Sequence, residues 1–304
     1  MWVLAALAGP VYASGVSASW GWRWALVVYL PVLIAARAVM AGQIHDLRLD
    51  EETDHDETVP WLPALAMAAG VALIGALRAS SPWFWPGVGV GTALVLWSCS
   101  CVLPDGTLCL VPGRRAGIAT LLWVCAFFLT LDYLVAPSAH DVLGLTPTQT
   151  GWALTAGGIG WSAVAIACGA RPAREPQAYR RRTMLAAVFF VVGTMLMVVT
   201  VLEKADWWGL PVGYGVASIG MGLTHLDTMN RIVTDPAEPD GITHAQAATA
   251  VTIAGAAGGA VLGTATTAFV APAAAGVEPG RLWPTLVLLA GGLLLTPLLA
   301  RRAA

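Results

Sequence analysis

Between Trp123 and Arg182 the chain passes from an apolar segment through a short polar hairpin to a Gly-rich apolar segment, then into the basic run RPAREPQAYRRR. Each apolar part approaches the roughly 20 residues needed to cross the hydrocarbon core of a bilayer. A lipid-embedded backbone must satisfy its own hydrogen bonds, so segments of this kind are predicted to be helices. Arg171, Arg174, Arg180, Arg181 and Arg182 crowd the loop after the second segment, and the positive-inside rule assigns that loop to the cytoplasm.

Similar apolar runs recur along the chain. Ten candidate spans fall at about 2–18, 24–41, 61–79, 85–103, 116–136, 149–169, 183–202, 210–230, 247–271 and 283–300. With 57% hydrophobic and only 11% charged residues, against about 25% charged in a soluble domain, the chain reads as an integral membrane protein. The expected fold is an all-α polytopic transmembrane bundle in the cell membrane, multi-pass, with the lipid bilayer as its first partner. The N-terminal stretch lacks a basic n-region and Pro10 interrupts it, so it reads as a retained span.

Alternation from the basic loop places both termini in the cytoplasm. Arg37, Arg48, Arg114, Arg115, Arg231, Arg301 and Arg302 then fall inside, against Arg23, Arg78, Lys204 and Arg281 outside. Trp20, Trp22, Trp24, Trp83, Trp85, Trp207 and Trp208 fall at predicted outer ends, where an interfacial belt belongs. The loop from His45 to Thr58 carries seven of the eighteen acids and reads as a solvated linker rather than a metal site for His45 and His55. Gly157, Gly158 and Gly160, and later Gly255, Gly258, Gly259 and Gly263, predict close helix contacts.

The cysteines have no ligand spacing, and Cys99 and Cys101 read as small apolar filler, so no metal or other cofactor is expected. No GxSxG, HExxH, P-loop or DDxxD motif is present, so the chain is not expected to be an enzyme. Basic residues confined to loops argue against nucleic-acid binding.

Ionisable groups inside a span are costly and therefore functional candidates or paired. Three remain: Asp132, His225 and Asp227. Asp132 lies roughly 9 Å outward of its helix midpoint and His225 roughly 7 to 8 Å inward of its own. Asp132 has no basic residue within a turn, follows Phe127 and Phe128, and adjoins Tyr133. It is the strongest candidate for binding a proton, with Tyr133 beside it on the substrate path. His225 is a candidate relay, because imidazole changes charge near neutral pH. Asp227 has Arg231 four residues on and is expected to form a helix-end pair with it.

GLTPTQTGWALTAGGIGW (Gly144 to Trp161), the Arg-rich loop after it and VLPDGTLCLVPGRRAG (Val102 to Gly117) resemble the C-terminal half of the major facilitator superfamily, of the fourteen-span, drug-efflux-like actinobacterial type. Gly9, Pro10 and Gly15 are similar to the tail of that family's antiporter motif, and WGWRWALVVYLPV (Trp20 to Val32) to the opening of its sixth span. The resemblance implies proton-coupled efflux of small molecules. It also implies gating roles for Gly9, Pro10, Gly15, Arg171, Arg180 and Arg181, although the loop lacks the aspartate usual in its motif. Asp132 falls about one position from an acid the family often carries.

On the resemblance, 1–41 is a remnant of an N-terminal bundle, 42–60 an acidic linker, 61–103 two linker spans and 104–304 a six-span C-terminal bundle. This partial facilitator fold would lack its first four spans, would not transport alone, and would require a complementing N-terminal half. The alternatives are a complete ten-span drug/metabolite-type transporter built from two five-span repeats, a polytopic membrane enzyme, and a vestigial protein without activity.

Overall fold

The computed structural model describes residues 2–45, 60–234, 236, 239–272 and 276–303, and these form helices with no β-strand. In chain order they are α1 (Trp2–Trp20), α2 (Trp22–His45), α3 (Trp61–Ala76), α4 (Phe84–Val102), α5 (Arg114–Pro137), α6 (Pro147–Ala170), α7 (Pro176–Glu203), α8 (Gly209–Val233), α9 (His244–Val270), α10 (Pro279–Leu294) and α11 (Thr296–Ala303). A single π turn, Ser138–Val142, prolongs α5. The acidic linker, with the side chains of His45 and His55, lies outside the described residues.

Several helices begin before the apolar run that signals them, because polar residues cap them. Thr146 and Gln149 form a reciprocal capping box ahead of α6, as Thr243 and Gln246 do ahead of α9. Pro176 and Pro279 occupy the first turns of α7 and α10, where a missing N–H costs nothing. Thus α7 starts seven residues ahead of the expected span, taking the three consecutive arginines into its first turns.

Among the described residues, seven helical segments are long and apolar enough to cross a membrane: Trp22–Gly42, Phe84–Val102, Arg114–Val142, Pro147–Ala170, Pro176–Glu203, His244–Val270 and Pro279–Ala303. This is fewer than the ten spans expected. The apolar α3 has only 16 residues, and α8 carries Thr224, His225, Asp227, Thr228, Asn230 and Arg231 in its second half. The polarity of α8 is matched by its position, for it packs against α5, α6, α7 and α9.

Three close crossings build this bundle. A Cβ on Gly258 of α9 would stand 2.7 Å from the Cβ of Ala126 on α5. A Cβ on Gly160 of α6 would stand 2.4 Å from the carbonyl oxygen of Gly215 on α8, and one on Gly193 of α7 would stand 2.5 Å from that of Gly213. Only glycine lets the backbones approach this far, and dispersion contacts between the helices follow. Gly255, expected to share this role, faces open space.

The hairpin of α3 and α4 lies on α9, α1 packs along α6, and α2 packs on α1 with most of its surface exposed. Leu26, Ile34 and Val39 of α2 are more than 60% exposed, as suits a lipid-facing surface. The packing of α1 to α5 is not repeated in α6 to α10. The pair α7 and α8 is closely packed, and among the described residues α2 and α3 have no comparable contact.

The loops expected on one side do gather at one end. Arg114, 7% exposed, grips Asp240 through two hydrogen bonds of 2.8 and 2.7 Å and also donates to the carbonyls of Ile232 and Ile242. Arg115 donates to the carbonyls of Asp105 and Asp240, and the N–H of Gly113 donates to the carbonyl of Arg302. The Arg114 guanidinium holds the Asp240 carboxyl down at about 2. At the opposite end, the N–H of Val277 donates to the Asp141 carboxylate at 3.0 Å, tying the π turn to the α9–α10 connection.

Candidate functional site

Asp132 sits on α5, half-buried, and turns toward α8. There the hydroxyl of Tyr214 donates to its Oδ1 at 2.5 Å. Tyr214 is 4% exposed, its ring stacked on Phe128 with centroids 6.0 Å apart. The ring fits because α6 presents Gly157: a Cβ there would lie 2.0 Å from the ring. Three helices therefore define the site, with α5 supplying the carboxylate, α8 the phenol and α6 the slot. Among the described residues no cation pairs with Asp132.

The chemistry of such a pair is symmetrical in one respect. A phenol can donate to a carboxylate and can accept from a carboxylic acid. Asp132 can thus gain or lose a proton while the contact with Tyr214 persists, and neither state leaves a buried polar group without a partner.

His225 lies three turns further along α8, roughly 16 Å from Tyr214 at the rise of an α-helix. Its imidazole meets Trp161 edge-on, with centroids 5.3 Å apart, and has no hydrogen-bond partner among the described residues. Trp161 in turn packs edge-on against Phe128. The aromatic row from His225 to Tyr214 is contiguous but carries no exchangeable proton at Phe128. These side chains therefore form no continuous hydrogen-bonded path between His225 and Asp132.

Asp227 has a partner other than the expected one. Buried to 2% exposure, it accepts from Arg182 at 2.6 Å and from the N–H of Ala173 at 3.2 Å. Arg231, four residues on, instead lies over the Tyr179 ring at 4.4 Å and donates to the carbonyls of Ala173 and Arg174. Arg182 also donates to the carbonyl of Arg171, and the Tyr179 hydroxyl pairs with Thr228 at 2.9 Å. These contacts clamp the α6–α7 loop onto the end of α8. A buried acid so tightly paired is a structural element of this end.

The arginine forming this pair is Arg182, whereas Arg171 and Arg181 are exposed and Arg180 donates to the carbonyl of Arg301. Gly9 and Gly15 face open space. The close contact of α1 comes instead from Ser14 and the carbonyl of Pro10, both against Gly151 of α6. Tyr133, next to Asp132 in sequence, turns away from it, and its ring lies on Gly263 of α9. Cys99 is buried and Cys101 exposed on α4.

Tyr214, Gly193 and the pairing role of Arg182 were not singled out by the sequence. The nearest signal for Tyr214 was Gly157, a small residue whose purpose is to admit its ring. No protein-family model matches the chain, and no curated protein matches it.

Proposed function

We propose that the protein is a secondary transporter of small molecules, of the major facilitator type, in which Asp132 binds and releases the coupling proton. The observation that carries this reading is the Asp132–Tyr214 pair, a half-buried carboxylate within a bundle helix, hydrogen-bonded to a buried phenol and lacking a countercharge among the described residues. Ionisable groups so placed in a membrane bundle recur on proton and substrate paths. Asp227, neutralised by Arg182, is unsuited to that role.

In this reading α5 to α11 form one bundle, and the glycine-lined crossings within it let its helices slide on one another. Proton binding at Asp132 removes a charge from the α5–α8 interface, and its release restores one. Coupling follows if the two protonation states prefer different arrangements of those helices. The exchanged molecule is a drug or metabolite leaving the cell, and a complementing N-terminal half is a proposed partner.

The test uses vesicles prepared from native membranes, which carry any complementing half, with the chain present or replaced by Asp132→Asn. A panel of fluorescent efflux substrates is followed under an imposed pH gradient. The expected result is gradient-driven movement of at least one compound that the substitution abolishes. Equal movement with both chains, or none with either, contradicts the proposal.

A further inference from the structure

Tyr133 leads to a second site on the other side of α5. Its ring forms one wall of a cleft of ≈ 440 Å³ between α3, α5 and α9, within the size range of small-molecule sites. The cleft opens beside the contact of Gly75 with Thr264, where a Cβ on Gly75 would lie 3.3 Å from the threonine methyl. Gly263 lines the cleft beside the Tyr133 ring and seats it there, since a Cβ on it would stand 2.3 Å from the ring and displace it.

The polar lining is one-sided in chemistry. It consists of Arg78, Tyr133, Thr264 and Thr267, with no acidic residue. The guanidinium of Arg78 makes no ion pair or hydrogen bond among the described residues. The hydroxyls of Thr264 and Thr267 are similarly unengaged. This differs from Thr120, Thr130, Thr224 and Thr228, each of which bonds back to the carbonyl four residues earlier, the usual recourse of a helical threonine. Arg78, Tyr133, Thr264 and Thr267 thus line one space without bonding to one another, beside apolar Leu77 and Ala268.

We propose that this cleft binds a small organic anion with an apolar body, its carboxylate or phosphate held by Arg78 and the hydroxyls of Tyr133, Thr264 and Thr267. Guanidinium offers several donors in one plane, suited to such oxyanions. The apolar body lies along Leu77 and Ala268, continuous with the lipid-facing surface of the α3–α4 hairpin. The site does not involve Asp132, which faces α8, so it stands or falls independently of the coupling reading.

Dansyl-labelled undecanoate, a fluorescent carboxylate amphiphile, tests the site on the whole chain in detergent and in nanodiscs. The expected result is saturable fluorescence enhancement, competed by decanoate and not by dodecylamine. Arg78→Gln should weaken it about tenfold or more, as loss of a charge-assisted contact predicts. Ala268→Trp, which fills the cleft and leaves the charge, should weaken it comparably, with both variants checked for monodisperse elution. Asp132→Asn should bind as the parent does. Displacement by phosphatidylglycerol but not phosphatidylcholine identifies a lipid headgroup as the source of the anion. Displacement by decanoate with no effect of phosphatidylglycerol identifies a free organic anion. Undiminished binding by Arg78→Gln, or equal competition by dodecylamine, overturns the proposal.

Discussion

Tyr214 donates its hydroxyl to Asp132 across the α5–α8 interface, and the two residues are 82 positions apart in the chain. Tyr214→Phe keeps the ring on Phe128 and removes only the donor. The expected outcome is a fold destabilised by about 1.5–3 kcal/mol, the range for a hydrogen bond to a charged group. Thermal unfolding in detergent above neutral pH measures it. Asp132→Asn, whose amide oxygen still accepts from the phenol, should unfold close to the parent.

Gly157 is the third member of this relationship. Gly157→Val places methyl groups where the Tyr214 ring now lies, so the ring must leave the slot or α6 must move away from α8. Overpacking of this kind costs about 1–3 kcal/mol. The substitution should lower the unfolding midpoint and also weaken any pH-dependent signal from Asp132. Gly255→Val, at a position facing open space, is the matched control and should leave both unchanged.

The Arg182–Asp227 pair makes a different prediction. Removing Arg182 leaves Asp227 buried without its cation, and breaking such a pair costs about 3–5 kcal/mol. Arg182→Ala should therefore destabilise strongly, and adding Asp227→Asn to it should recover much of the loss. Asp227→Asn should not depend in the same way on Arg231, whose guanidinium rests on Tyr179. A double-mutant cycle for each arginine with Asp227 distinguishes the two partners, and a larger coupling to Arg231 would contradict the geometry.

At the same end of the molecule, Arg114 and Asp240 give the stability a pH dependence. The folded carboxyl titrates at about 2 against an ordinary 3.8, held down first by its hydrogen bond to Arg114. The folded state thus favours the carboxylate. The resulting stabilisation is complete above the unfolded value and is lost as the pH falls from about 4 toward 2. Asp240→Asn should flatten the unfolding midpoint across that window. An unchanged slope there would show that the pair contributes nothing to this dependence.

Much of the architecture is legible in the apolar runs, because each helix in lipid must be apolar over its own length. The runs locate all the major helices, and the arginine-rich loops sort to one end. Polar helix starts are less visible: Thr146 with Gln149 and Thr243 with Gln246 form caps that an apolar count does not include. The pairings were not legible at all. Asp227 had an arginine four residues on, yet its partner is 45 residues away on α7. Sequence spacing gives the local candidate, but the packing of α7 along α8 brings Arg182 to Asp227. Asp132 could be singled out because an acid in an apolar run is conspicuous. Tyr214 could not, because a tyrosine among glycines and valines resembles ordinary bundle packing until the ring's neighbours are known.

The central claim is that Asp132 exchanges a proton within the bundle. Infrared difference spectroscopy on the reconstituted protein, with the pH stepped down and back, reads that event directly through the carboxyl C=O band. The account predicts a band that appears on acidification, disappears on return, and is missing in Asp132→Asn. A reversible band that persists in Asp132→Asn, or no carboxyl band from the parent chain at any step, would contradict it.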